Sequence, residues 1–436
     1  MPLRVYNTLS RKKEAFVPLH GKRVSMFVCG ITPQDQTHLG HAKTYVAFDV
    51  VARYLRSKGY HVFYLQNVTD IEDRIIAKMK STRRAWDDIV AQYFAEFRDV
   101  MERLQCTSVD VYAFATDYID EIVEQIQGLI RKGHAYVAED KSVYFDTTTF
   151  SGWGKLSGQK VEELRPGARI EIEERKRHPA DFVLWRAQKP GEPAWESPWG
   201  PGRPGWHIED TAITIRHFGV QYDLHGGMVM VSGAEMHKSL GNFWPVQAAL
   251  ERYEPEVLRF FLINVQYRGP IDFAPELLEE AKRSYERLRE TVRSVEAERR
   301  RAPPKGKADP GLRDATKNSL AAFDAAMSDD FNTREAIAVL FEFARDVNKA
   351  IESGVGRGPL DGAAEAFRTF GDVLGLFQMK PSETDRLDGV LDLIVGLRED
   401  ARKRKDFATA DRIRDALAAV GIVLEDARDG VRWKLK

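Results

Sequence analysis

Two short apolar runs, Val24–Cys29 (VSMFVC) and His61–Gln66 (HVFYLQ), constrain this chain more than any other feature in it. Both have strand length, and Gly30 stops the first, so they read as buried strands. Between them Ala42, Tyr45, Val46, Asp49, Val50, Arg53 and Tyr54 recur at three- and four-residue spacing, and Gly59 follows. That is an amphipathic helix with a glycine stop. Strand, helix and strand within about forty residues form a βαβ unit, which requires a parallel sheet with a right-handed crossover.

A polar helix is expected over Asp73–Lys80, and residues 86–135 read as mainly helical. Ser142–Asp146, Phe182–Trp185 and Tyr222–His225 are short candidate strands around an irregular stretch, 150–205, rich in Gly, Pro and Trp. From Val246 the pattern turns helical: Val246–Tyr253, Glu256–Asn264, Pro275–Arg300, Gly311–Met327, Arg334–Ser353 and Ala363–Leu376. Arg301–Pro310 and Ser382–Asp388 read as linkers. Two short helices and two strands, Gly421–Glu425 and Val431–Leu435 around an Asp429–Gly430 turn, close the chain. The expected architecture is α/β: a Rossmann-like domain with a parallel sheet (1–245, with an insertion over about 90–205), then α-helical regions (246–302 and 303–380), then a small C-terminal domain (385–436).

Charge does not advertise a partner, because 65 Lys and Arg nearly balance 66 Asp and Glu. Basic residues are nevertheless segregated. Lys282, Arg283, Arg287, Arg289, Arg293, Arg299, Arg300, Arg301, Lys305 and Lys307 form one cluster, and Arg398–Arg404 another. Alone, such clusters are solvated helix faces. Two cysteines, Cys29 and Cys106, exclude a disulfide framework. The charged N-terminal stretch lacks the apolar core of a secretory signal, and no apolar run reaches membrane-spanning length. A cytoplasmic protein with no membrane partner is expected.

Two motifs carry chemistry. His38-Leu39-Gly40-His41 falls where the first strand feeds the first helix, so backbone amides and two imidazoles converge where negative charge is favoured. A lone motif of this kind also suits any surface helix start. Glu235-Met236-His237-Lys238-Ser239-Leu240-Gly241-Asn242 supplies a lysine in a small-residue loop. Such a loop can compensate phosphate charge, although by itself it would be unremarkable.

As an ordered set, Phe27–Ile76, Gly205–Ala212 (GWHIEDTA), Asp223–Gly227 (DLHGG), Lys238–Phe243 (KSLGNF), Asp329–Thr333 (DDFNT) and Asp406–Trp433 resemble cysteinyl-tRNA synthetases, class I aminoacyl-tRNA synthetases, from end to end. The resemblance implies a class I catalytic domain with helical and C-terminal anticodon-binding regions. It further implies a monomer that activates cysteine with ATP and Mg, then transfers the acyl group to the 3′ end of tRNA(Cys). His38, Gly40, His41 and Lys238 would act in catalysis, and Ile31, His38, His41 and Lys238 would hold ATP. Cys29, Gly30, Thr69, Trp206 and His225 would line the cysteine pocket, and Trp433 would read the anticodon. Core packing is the competing explanation for both tryptophans.

Departures from that pattern matter as much. The family holds zinc with two Cys, one His and one Glu, and soft sulfur bound to zinc separates cysteine from serine. Here Cys29 stands at the first ligand position and Asp210 at the second. The histidine-rich helix expected after DLHGG is absent, because Asp223–Gly227 runs directly into Met228–Val231 (MVMV); the catalytic domain is thereby shortened by one crossover. Cys29, His207, Asp210 and His225 could supply a mixed donor set, though nothing in the sequence places them together. Cys29 could equally be a small core residue. In the lysine loop, Glu235 replaces the usual first Lys.

A cysteine–tRNA ligase is the leading expectation. A catalytically impaired tRNA-binding paralogue is one alternative. A cysteine ligase acting on a small amine is another, since Cys29–Ala42 also resembles enzymes that make mycothiol precursors. The long helical half argues against the last.

Overall fold

The computed structural model describes residues 2–158, 176–226, 244–302, 309–378, 383–427 and 430–435. The chain forms two compact units, Met1–Phe377 and Gln378–Lys436.

The first unit opens with an antiparallel hairpin, β1 (Arg4–Asn7) and β2 (Lys12–Ala15). The βαβ unit follows as expected: β3 (Arg23–Ile31), α1 (Leu39–Ser57) and β4 (His61–Val68), with the two strands parallel. Then come α2 (Asp73–Thr82), α3 (Trp86–Arg103) and β5 (Val111–Phe114). β5 pairs in parallel with β4, so the stretch read as mainly helical also contributes a strand to the central sheet. Four residues without alternation are too few to show a period.

After α4 (Ile119–Arg131), four short strands make an antiparallel sheet: β6 (Ala135–Val137), β7 (Val143–Phe145), β8 (Phe182–Ala187) and β9 (Gly202–Pro204). α5 (Ile208–Phe218) then leads to β10 (Leu224–Gly226), which pairs in parallel with β3. Among the described residues the central sheet therefore runs β10-β3-β4-β5.

Its strands are apolar on both faces because both are covered. On one face Val24, Met26, Val28, Val62 and Tyr64 join the α1 residues Val46, Val50 and Leu55 in the main core. On the other, Phe27, Leu65 and Ala113 pack against Ile213 of α5. Parallel strands with helices on both faces put the loops of the C-terminal edge, at the β3/β10 reversal of strand order, where a doubly wound sheet binds ligands.

The helical part comprises α6 (Val246–Leu250), α7 (Pro255–Ile263), α8 (Pro275–Arg301), α9 (Pro310–Ser328), α10 (Thr333–Glu352) and α11 (Arg357–Leu374). α11 begins earlier than the sequence suggested, since Pro359 lies in its first turn, where proline is tolerated. The first basic cluster falls on α8 from Lys282 to Arg301, where Arg289 and Arg299 pair with Glu254 and Glu296, while Lys305 and Lys307 lie outside the described residues.

The second unit holds α12 (Glu383–Lys403), α13 (Phe407–Ala419) and the hairpin β11 (Ile422–Ala427) and β12 (Gly430–Leu435). Its core contains Leu391, Leu417 and Ile422. The linker expected over Ser382–Asp388 is helical from Glu383, and Gly430, expected in the turn, pairs with Ala427 as the first residue of β12.

Candidate active site

The turn after β3 is built around α1. His38 is its N-cap in an extended conformation, and its Nδ1 accepts from the His41 amide at 3.3 Å. The two imidazoles stack at 3.6 Å between centroids. The Leu39 amide donates to the Trp244 carbonyl at 3.0 Å, and the Val246 amide to that of Thr37 at 2.9 Å. The chain thus returns to the start of α1 just after the lysine loop. Lys238 itself, with Met228–Val231, Glu235 and His237, lies outside the described residues. Gly40 is buried in the first turn, and its carbonyl accepts from Thr44 Oγ1. Burial, and then the neighbouring His38, push His41 well below its ordinary pKa, so its ring is neutral at pH 7. Its buried Nδ1 has no partner among the described residues.

A second cluster forms beside it from the ends of β3 and β4 and the start of α5. Gly30 donates from its amide to Asn67 Oδ1 at 2.6 Å, and the Asn67 side-chain amide donates to Asp210 Oδ1 at 2.6 Å. Asp210 Oδ2 accepts from His207 Nδ1 at 2.8 Å and lies 3.9 Å from Cys29 Sγ. Cys29, His207 and Asp210 each offer a ligand atom within 4.8 Å of the others. Nothing in their spacing places them together, and the fold does so. His225 is not part of that group; it packs edge-on to Phe27 at 5.3 Å, and its Nδ1 is 2.6 Å from the Tyr222 hydroxyl.

Thr69 is buried, and its hydroxyl donates to Glu209 Oε1 at 3.0 Å; its amide reaches the carbonyl of buried Ile31 at 3.0 Å. Trp206 is 49% exposed and stacks on His207, so it is not a core tryptophan. Tyr45 spans the two clusters: its hydroxyl lies 3.5 Å from the Cys29 carbonyl, and its ring stacks at 6.5 Å on that of His41. Trp433 lies on β12 opposite Leu424, with its side chain outside the description.

Asn67 and Glu209 were missed by sequence reasoning. Asn67 directly follows the run His61–Gln66, and an acid such as Glu209 is favoured in a helix first turn, so neither carries a signal of its own. Glu209 is in fact 1% exposed. Burial, with Asp210 adding to it, raises its pKa to about 8 and keeps it protonated at neutral pH. Burial and the same carboxylates also raise the Cys29 thiol, which is therefore protonated in the absence of a cation. For His207, burial opposes the charge, but the Asp210 hydrogen bond and charge outweigh it and raise the pKa.

An acid raised in the fold lowers stability as the unfolded chain ionises, from about pH 4.5 up to about 8. In chelator-treated protein, Glu209→Gln should gain stability over the parent across that window, by a few kcal/mol at most. Urea midpoints against pH would measure it, and a pH-independent difference would refute it.

Comparison with known proteins follows the same lines. A family model described as the class I (C) tRNA synthetase catalytic domain matches residues 15–228 and 217–283. DALR-domain and cysteinyl-tRNA ligase anticodon-binding models match 322–378 and 387–433. A cysteine–tRNA ligase of Pelotomaculum thermopropionicum is 39% identical, and one of Symbiobacterium thermophilum 40%, each covering at least 99% of both chains. The chain belongs to the cysteinyl-tRNA ligase family.

Alignment with the Symbiobacterium relative spans 474 positions, 38 more than the 436 residues here, and the catalytic-domain match breaks at 217–228. That relative thus carries positions with no counterpart here, and the catalytic-domain match is interrupted in the region of DLHGG and MVMV. The fold is also that of other class I structures. Mycobacterium tuberculosis methionyl-tRNA synthetase with methionyl-adenylate superposes with a TM-score of 0.58 at 14% identity, covering 86% of this chain and 94% of that one. The Agrobacterium radiobacter K84 agnB2 LeuRS–tRNA–LeuAMS complex gives 0.57 at 10%, covering 83% and 85%.

The family implies a zinc ion. The donors present fit a three-ligand group of one sulfur, one imidazole nitrogen and one carboxylate oxygen, although only Cys29 belongs to the usual ligand set.

Proposed function

We propose that this chain is a cysteine–tRNA ligase that forms cysteinyl-adenylate from ATP and cysteine and passes the cysteinyl group to the 3′ end of tRNA(Cys). In the first step the cysteine carboxylate attacks the α-phosphorus and pyrophosphate leaves. In the second a terminal ribose hydroxyl takes the acyl group and AMP leaves. The observation that carries this reading is the His38–His41 turn at the N-terminus of α1, which Tyr45 links to Cys29 and so to the Thr69, Glu209 and Asp210 cluster.

Neither step needs a protein nucleophile, so orientation and charge compensation carry the rate. The α1 dipole, His38 and His41 would meet the triphosphate, Mg would supply further charge compensation, and Lys238 is the phosphate-contacting lysine that the family motif implies. Gly40 leaves room for the nucleotide, and Ile31 contributes to binding it. Cys29, Gly30, Thr69, Trp206 and His225 form the cysteine pocket. Cys29 and Asp210 are the candidate zinc donors, and the bound ion would supply a contact selective for the substrate sulfur. Regions 246–302, 303–380 and 385–436 take the tRNA, with Trp433 at the anticodon. No helix among the described residues is long and apolar enough to cross a membrane. We place the protein in the cytoplasm as a monomer.

Cysteine-dependent pyrophosphate exchange and tRNA cysteinylation test the reading together; absence of both at high enzyme concentration would overturn it. His41→Ala should lower kcat for exchange about 10²–10³-fold with little change in the KM for cysteine. An unaltered kcat would remove His41 from catalysis.

A further inference from the structure

We propose that this chain carries a rebuilt metal centre in which His207 Nδ1 joins Cys29 Sγ and Asp210 Oδ2 as the third protein ligand of a zinc-class divalent ion. The family resemblance supplies Cys29 and the position of Asp210. It does not supply His207. The proposal concerns metal loading and does not depend on tRNA being charged.

The three donors come from two rigid elements. Cys29 is on β3, while His207 and Asp210 sit three residues apart across the start of α5. A tetrahedral ion with bonds of about 2.3 Å to sulfur and 2.0 Å to nitrogen or oxygen holds sulfur about 3.5 Å, and nitrogen about 3.3 Å, from the carboxylate oxygen. The observed separations are 3.9 Å and 2.8 Å. Metal entry thus draws the sulfur in and opens the His207–Asp210 hydrogen bond, each by about half an ångström.

Two neighbours fit a ligand there. The other Asp210 oxygen is held by the Asn67 amide, itself fixed by Gly30, which orients the carboxylate as partners of metal ligands do. Glu209 is buried against this cluster, and its Oε2 has no partner among the described residues. A water or substrate group on the ion would satisfy it. His207 and Trp206 are about half exposed, so the centre opens on one side and leaves a fourth position for an outside ligand. Sulfur and imidazole donors select a zinc-like ion over magnesium or calcium, which require oxygen.

The test uses the full chain, stripped with a chelator and titrated with Zn²⁺ and with Co²⁺. We expect about one equivalent of tightly held metal and a cobalt spectrum with four-coordinate visible bands and a near-ultraviolet sulfur-to-cobalt band. Cys29→Ser should abolish the sulfur band. His207→Ala and Asp210→Asn should each weaken binding about tenfold or more, while His134→Ala, in the turn between α4 and β6, leaves it unchanged. Thermal melts of the metal-free variants matching the metal-free parent exclude misfolding as the cause. Substoichiometric binding, or affinity and spectrum unchanged in His207→Ala, would overturn the proposal.

Discussion

Gly30→Ala should abolish cysteine-dependent pyrophosphate exchange and cost about 4 kcal/mol or more of stability, at the high end for a single substitution. A methyl group at residue 30 would lie 1.6 Å from the Asn67 carbonyl oxygen. That atom is backbone, so no side-chain rotation relieves the clash; β3 and β4 must separate at their C-terminal ends. The register already shifts between Val28 and Ile31 to bring the strands this close. Separation breaks the Gly30 amide contact to Asn67, and with it the support of Asp210. Urea unfolding and exchange assays on the same preparation measure both effects. A parental midpoint with parental exchange would show that the strands move apart without cost.

Arg259→Met should cost about 3–5 kcal/mol, because it leaves a buried carboxylate and two carbonyls short of a partner. Arg259 is 0% exposed. Its guanidinium donates to Asp49 on α1 at 2.6 Å, to the Leu374 carbonyl at the end of α11 at 2.7 Å, and to the Leu104 carbonyl after α3 at 2.7 Å. It therefore ties the helix that begins at His38 to the helical part of the unit. Burial pushes the Asp49 pKa up, but the charges of Arg259 and Arg53 outweigh it and hold the carboxylate below its ordinary range. A lowered acid stabilises the fold above its unfolded pKa, about 3.9, and this is lost as pH falls through the folded value. The gap between parent and variant should therefore be widest at neutral pH and narrow in acid. Adding Asp49→Asn to Arg259→Met should restore part of the loss. A double variant no more stable than the single one would show that the carboxylate is not the penalty.

The readings that succeeded rest on local spacing. Val24–Cys29 and His61–Gln66 are mostly apolar because both sheet faces are covered, and α1 shows its period because one stripe meets the core. β5 escaped because VYAF is brief and lies between helices. The β1–β2 hairpin escaped because RVYN and KKEA do not alternate apolar with polar.

Local chain order was enough for the parallel α/β core, the family and the two imidazoles of the first turn, since His38 and His41 stack across three residues of one chain segment. That Cys29 meets His207 and Asp210 is set by packing alone, since Cys29 and Asp210 lie 181 positions apart in the chain. No local period encodes that meeting. It follows from Ile213 of α5 packing on Phe27, Leu65 and Ala113, which sets the start of that helix against the end of β3.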